Sequence, residues 1–190
     1  MIDLIKERLA RYAPAPLGDP YREPRGQAAV LVPVIDSDHP ELLLTLRPGA
    51  MNAHGGEVAW PGGRQDEGDE SLLHTALRET EEELGIAPRQ IEVVGELRPF
   101  ISKFGLLVTP YVGLLDSPVD LVPNPAEVES VFAVPMPWLL EDPRSSTDVI
   151  ERHGERHEVP VYHYDGFKIW GLTAMILREF INSATDARIG

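Results

Sequence analysis

Short β-type runs interleave with helical segments along this chain, and that alternation restricts it to an α/β architecture. AAVLVPVI (28–35) and ELLLTLR (41–47) are apolar, β-branched runs separated by the turn-like DSDHP. IEVVGELRPF, LLVTPYVGLL, EVESVFAVP and EVPVYHY repeat that character further on. Between them, SLLHTALRETEEEL (71–84) has a helical period, with Leu73, Ala76, Leu77, Thr80 and Leu84 on one stripe. Ser71 suits its N-cap and Gly85 the residue just past its end. GLTAMILREFI (171–181) reads as a closing amphipathic helix, and Ile2, Ile5 and Leu9 mark a short one at the start. The expected fold is a mixed sheet covered by helices, an α/β sandwich.

At 190 residues the chain suffices for one domain with a full core. Glycine and proline are spread throughout, so no linker or repeat divides it. A formal charge of −14 argues against a general binder of nucleic acid or acidic lipid. Without cysteine there is no disulfide, thiolate nucleophile or cysteine zinc site. The opening MIDLIKERLARYAP lacks the apolar core of a signal peptide, and no apolar run reaches membrane-spanning length. A soluble protein in a cytoplasmic setting is expected.

RETEEELG (78–85) concentrates Glu79, Glu81, Glu82 and Glu83 in little more than one turn, where like charges repel. With Leu73 at zero and 100° per residue, the apolar stripe covers roughly 300° to 40°. Glu79, Glu82 and Glu83 then fall at about 240°, 180° and 280°, while Glu81 lies near 80° on the other flank. Three convergent carboxylates suit magnesium or manganese, hard cations that take oxygen ligands and hold substrate phosphates. A solvated acidic face is the plainer reading of a glutamate run taken alone. The neighbourhood favours the cation: from Glu57 to Glu83 there are nine acidic residues and two basic ones. Immediately upstream, PGG permits tight turns and close backbone approach.

GGRQDEGDESLLHTALRETEEELGI (62–86) resembles the Nudix box, the loop–helix–loop signature of hydrolases that cleave nucleoside diphosphates linked to another group. Arg78 through Ile86 match its end, with Thr80 at the first apolar place, and the stretch from Gly63 to Glu70 is one residue longer than usual. LLTLRPGAMNAHGGEVAWPGG (43–63) is similar to a second signature, that of the coenzyme A diphosphatase branch. Leu46, Pro48, Met51 and Asn52 depart from it, which removes two basic residues from the loop presumed to meet the substrate.

The resemblance implies a Nudix-type α/β/α sandwich with a mixed β-sheet, spanning residues 1–190 as one hydrolase domain. Its parts would be an N-terminal helix and lead-in (1–24), the box (62–86) and a C-terminal helix (171–182). It implies Glu79, Glu82 and Glu83 as metal ligands, joined by Glu70 and the Gly63 carbonyl, with Mg2+ or Mn2+ as cofactor. Arg78 would orient a carboxylate, and Glu127 or Glu129, or a box glutamate such as Glu79 or Glu82, would serve as general base. Arg47, His54, Gly62 and Gly63 would meet the substrate, with structural roles open for Arg47 and His54. His153, His157 and His163 lack a firm zinc spacing. The implied reaction splits coenzyme A or an acyl derivative into 3′,5′-ADP and the 4′-phosphopantetheine portion. Rival readings are hydrolysis of ADP-ribose or a reduced dinucleotide, and a non-catalytic nucleotide sensor. The partner is a small molecule, with neither nucleic acid nor membrane involved; a homodimer is implied by resemblance alone.

Overall fold

A computed structural model describes residues 1–15, 24–49, 55–152 and 155–190. Its helices are α1 (Ile2–Arg11), α2 (Leu72–Leu84), α3 (Met136–Leu140) and α4 (Gly171–Ala184). The strands are β1 (Gln27–Asp36), β2 (Glu41–Leu46), β3 (Val58–Ala59), β4 (Gly62–Arg64), β5 (Ile91–Glu96) and β6 (Phe100–Ile101). They continue with β7 (Leu107–Asp116), β8 (Ser130–Pro135), β9 (Ser146–Arg152), β10 (Glu155–Tyr164) and β11 (Phe167–Ile169).

β1 is apolar nearly throughout because both of its faces are covered. Val32 and Val34 point into one core, with Ile5 and Leu9 of α1 and Leu177, Phe180 and Ile181 of α4. Leu31 points into the other, with Leu84, Ile86, Ile91 and Leu115. The sheet therefore lies between α2 on one face and α1 with α4 on the other, the expected α/β/α sandwich. It is also mixed: β1 runs parallel to β7 in unbroken register from Gln27↔Leu107 to Asp36↔Asp116. The β2, β5 and β8 pairings are antiparallel.

One irregularity positions the site. β1 and β2 pair only at Val34↔Leu42 and Ile35↔Glu41, then part. Beyond that point β4 lines β1 (Ala29↔Gly63, Val30↔Gly62) and β3 lines β2 (Thr45↔Ala59). The divergence thus places a glycine pair inside the sheet, directly beneath α2. Gly62 has φ 146°, and a Cβ there would stand 2.3 Å from the Ala29 carbonyl oxygen. Trp60 is buried and donates its Nε1–H to the Thr173 carbonyl at 3.1 Å.

β9, β11 and α3 carry no clear pattern in the sequence. β9 (STDVIER) is a strand because β10 pairs along its whole length, although its apolar Val149 and Ile150 remain exposed. Among the described residues, no helix is long and apolar enough to cross a membrane.

Candidate active site

α2 begins and ends where its sequence places the caps. The Ser71 hydroxyl accepts the His74 N–H at 3.1 Å, and Gly85 adopts the left-handed conformation at φ 72°. The buried face differs from the apolar stripe. Thr75, Ala76, Thr80, Glu83 and Leu84 are buried, whereas Leu73 and Leu77 are only partly so. On the helical wheel that buried arc runs from about 200° to 20°, so Glu79 and Glu83 lie inside it rather than beside it. The cause is the partner surface. β4 offers glycine backbone to the helix, so nothing apolar displaces the acids. Gly62 donates its N–H to Glu83 Oε2 at 3.2 Å, and a Cβ on Gly63 would stand 2.4 Å from Glu79 Oε1.

Glu79, Glu83 and Glu127 each present an oxygen, all within 4.8 Å of one another. Glu83 is 2% exposed, and burial pushes its carboxyl up to about 8. Arg47 and the Gly62 N–H oppose that rise, while Glu79 and Glu127 add to it. Burial raises Glu79 as well, against the attraction of Arg78. Glu127 comes from the loop before β8, where Asn124 sets its position. The Asn124 backbone N–H donates to the Glu83 carbonyl at 2.9 Å, and its side-chain amide donates to Glu127 Oε1 at 3.2 Å. That loop also satisfies the end of α2, since Val122 N–H donates to the Leu84 carbonyl at 2.8 Å.

Two expected ligands stand elsewhere. The Glu82 side chain is 50% exposed and pairs with Arg78 Nη1 at 3.0 Å, outside the carboxylate trio. Its wheel angle puts it at the solvent edge, four residues from an arginine that claims it. Glu70 is exposed and also outside the trio. The acid buried in that loop is Asp69, 2% exposed, which the sequence reading passed over. It accepts Arg78 Nε at 2.9 Å, Arg78 Nη2 at 3.0 Å and the Thr75 hydroxyl at 2.9 Å, and these donors hold its carboxyl well below the usual range. Arg78 so anchored places Nη2 3.1 Å from Glu79 Oε1, the orienting contact expected of it.

Arg47 closes the other side, with Nη1 3.7 Å from Glu83 Oε1 and a buried Nε that has no hydrogen-bond partner among the described residues. Glu129, the other loop candidate, accepts the Gly49 N–H at 3.2 Å. His54 lies outside the described residues. His163 meets Ser145, their Nδ1 and Oγ 2.9 Å apart, and no histidine belongs to the trio. Asp69 and Asn124 were the missed residues. The Asn-Pro turn signal of 124–125 pointed to the second, and nothing local distinguished the first from its acidic neighbours.

Gly63→Ala tests the closeness of this arrangement. The obstructing group is the end of a flexible side chain, so the variant folds while Glu79 is displaced. Activity is expected to fall by about two orders of magnitude, with Tm lowered by only a few degrees. Calorimetry beside a steady-state assay reads both.

Three carboxylates on a helix and a loop, backed by a glycine strand, form a hard oxygen-donor set that fits a divalent cation. A family model described as the NUDIX domain matches residues 25–152. A Photorhabdus laumondii protein, described as the uncharacterized Nudix hydrolase NudL, is 45% identical over 152 residues, covering 80% of this chain and 81% of its own. Solved structures show the same fold. A Caenorhabditis elegans Ap4A hydrolase binary complex gives TM-score 0.51 at 24% identity over 61% of this chain and 82% of its own. The NUDIX domain of Shewanella oneidensis NrtR, complexed with ADP-ribose, gives 0.50 at 24% over 71% and 85%. The chain belongs to the Nudix family. It is a Nudix hydrolase, a pyrophosphohydrolase.

Proposed function

We propose that the protein hydrolyses the diphosphate bridge of coenzyme A or acyl-coenzyme A, releasing 3′,5′-ADP and (acyl-)4′-phosphopantetheine. The observation that carries the reaction type is the Glu79–Glu83–Glu127 trio beside Gly62 and Gly63. Residues 43–63, with their likeness to the coenzyme A branch, support the substrate.

Glu79, Glu83 and Glu127 are the residues that would hold Mg2+ or Mn2+, with the Gly63 backbone alongside. Such an ion supplies neutralisation of the anionic bridge and acidification of a bound water. The protein's own groups do the rest. Arg78, clamped by Asp69, keeps the Glu79 carboxylate aimed inward. Arg47 directs positive charge to the side of the trio where a phosphate oxygen would lie. Asn124 engages Glu127 Oε1 and leaves Oε2 to accept the proton of the attacking water. Attack at phosphorus breaks the bridging P–O bond and leaves two phosphomonoesters.

The test is a panel of coenzyme A, acetyl-coenzyme A, ADP-ribose, Ap4A and NADH incubated with Mg2+ or Mn2+. The products of bridge cleavage are separated by anion-exchange chromatography and quantified by absorbance. ADP-ribose and Ap4A belong there because the similar structures are named for them. Coenzyme A is expected to lead. Turnover of ADP-ribose with coenzyme A inert would overturn the substrate assignment and leave the hydrolase reading intact.

A further inference from the structure

α4 covers the face of the sheet opposite α2, on the far side from the carboxylate trio. A cavity of about 540 Å³ opens there between α4 and the β9–β10 hairpin, lined by Val149, Arg156, His157, Glu158 and Arg178. That volume lies in the range of small-ligand sites, roughly 300–1,000 Å³. The lining brings two arginines and a histidine together with one carboxylate. In a chain of net charge −14 such a wall is out of keeping.

Arg178 is held in place. It is half-buried on α4, and its Nη1 donates to the Glu158 carbonyl at 2.9 Å. Burial, followed by the repulsion of Arg98 and Arg144, loosens its proton, while Tyr162 and Glu179 offset part of that effect. Arg98 and Arg144 each hold an acid of their own. Arg98 Nε lies 2.5 Å from Glu179 Oε2, and Arg144 Nε donates to both Asp142 oxygens at 2.9 Å. Arg178 instead directs its charge at a neutral carbonyl. A half-buried cation with two others nearby is stabilised by an anion. The carbonyl contact also sets where that anion would lie. Residues 156 and 158 share one side of β10, because side chains alternate along a strand. By clamping the Glu158 carbonyl, Arg178 keeps its guanidinium against the strand that carries Arg156, and both line the same space. Val149, opposite Glu158 in register and 50% exposed, supplies an apolar wall.

We propose that Arg156 and Arg178 form a binding site for the phosphate group of a small phosphomonoester, apart from the reaction centre. Such a group carries nearly two negative charges at neutral pH and three strong acceptor oxygens, which suits a pair of guanidiniums. The proposal goes beyond the hydrolase reading and does not depend on which diphosphate is cleaved.

The experiment titrates inorganic phosphate and AMP into the metal-free protein in EDTA by calorimetry. Wild type, Arg156→Ala, Arg178→Gln and Arg47→Ala are compared. Wild type is expected to bind both probes saturably at one site. Arg156→Ala and Arg178→Gln should each weaken that binding by about tenfold or more, the worth of a charged hydrogen bond. Diphosphate hydrolysis at low phosphate should stay at the wild-type rate in both. Arg47→Ala should leave the affinity unchanged, since that side chain meets Glu83 on the other face of the sheet. Arg156 is exposed, so its variant folds and carries the test even if Arg178→Gln does not. No saturable binding of either probe to wild type, or wild-type affinity in Arg156→Ala, would overturn the site. Loss of binding in Arg47→Ala would place the anion at the reaction centre and overturn it equally.

Discussion

Glu83→Gln is expected to lower kcat by about a thousandfold, the loss of several kcal/mol of cation binding and charge stabilisation. The same change should make the metal-free protein more stable at alkaline pH. An unfolded glutamate titrates near 4.5, whereas the folded chain keeps the Glu83 proton to about 8. Between those values the folded state binds more protons than the unfolded one, so stability falls as pH rises through the window. Above 8 the full cost of a buried carboxylate is present, and below 4.5 none of it is. Each pKa unit corresponds to about 1.4 kcal/mol, so Gln removes several kcal/mol, less what it loses in contacts to Arg47 and Gly62. In EDTA at pH 9 the variant should melt roughly 5–10 °C above wild type, with the gain vanishing by pH 4.5. A stability gain independent of pH would mean that repulsion and burial of this charge are not its source. Glu81→Gln, on the solvated flank, should change neither readout.

Gly62→Ala should instead cost the fold. Its backbone sits at φ 146°, where an L side chain is strained, and the new Cβ would meet Ala29 O at 2.3 Å and Val30 Cα at 2.6 Å. Both obstacles belong to the central strand, which pairs with β7 along its whole length and cannot yield. Overpacking against fixed backbone is worth about 3–5 kcal/mol here, a drop in Tm of roughly 10 °C or more. Urea unfolding measures it directly. The contrast with Gly63→Ala separates the two glycines: one keeps the strands apart from side-chain bulk, the other leaves room for a carboxylate. A Gly62→Ala protein as stable as wild type would contradict the register of β4 on β1.

Much of the site was legible because it is local. Ser71, Gly85, Glu79 and Glu83 are related by helix geometry alone, so a 3.6-residue period locates them. Glu82 was not separable from them by period, because its fate depends on Arg78, and Arg78 depends on Asp69 across a loop. Glu127 was one of two loop candidates with equal local credentials. Asn124 selects it by bonding simultaneously to Glu127 and to the Glu83 carbonyl. In the fold, the strands rich in Val, Ile and Leu announced themselves. β9 did not, since its existence is owed to β10.

Sequence alone therefore specified an α/β sandwich, an acidic helix with its two caps, and a family resemblance that covers the reaction type. These follow from periodicity, capping chemistry and contiguous motifs, which act over a few residues. The burial of Glu83, the pairing of Glu82 with Arg78 and the placing of Glu127 beside Glu79 and Glu83 followed from the docked structure. Each depends on which surface the helix or strand meets, and that surface is made by residues tens of positions away. The parting of β1 from β2, which seats two glycines under α2, is the event from which those placements descend.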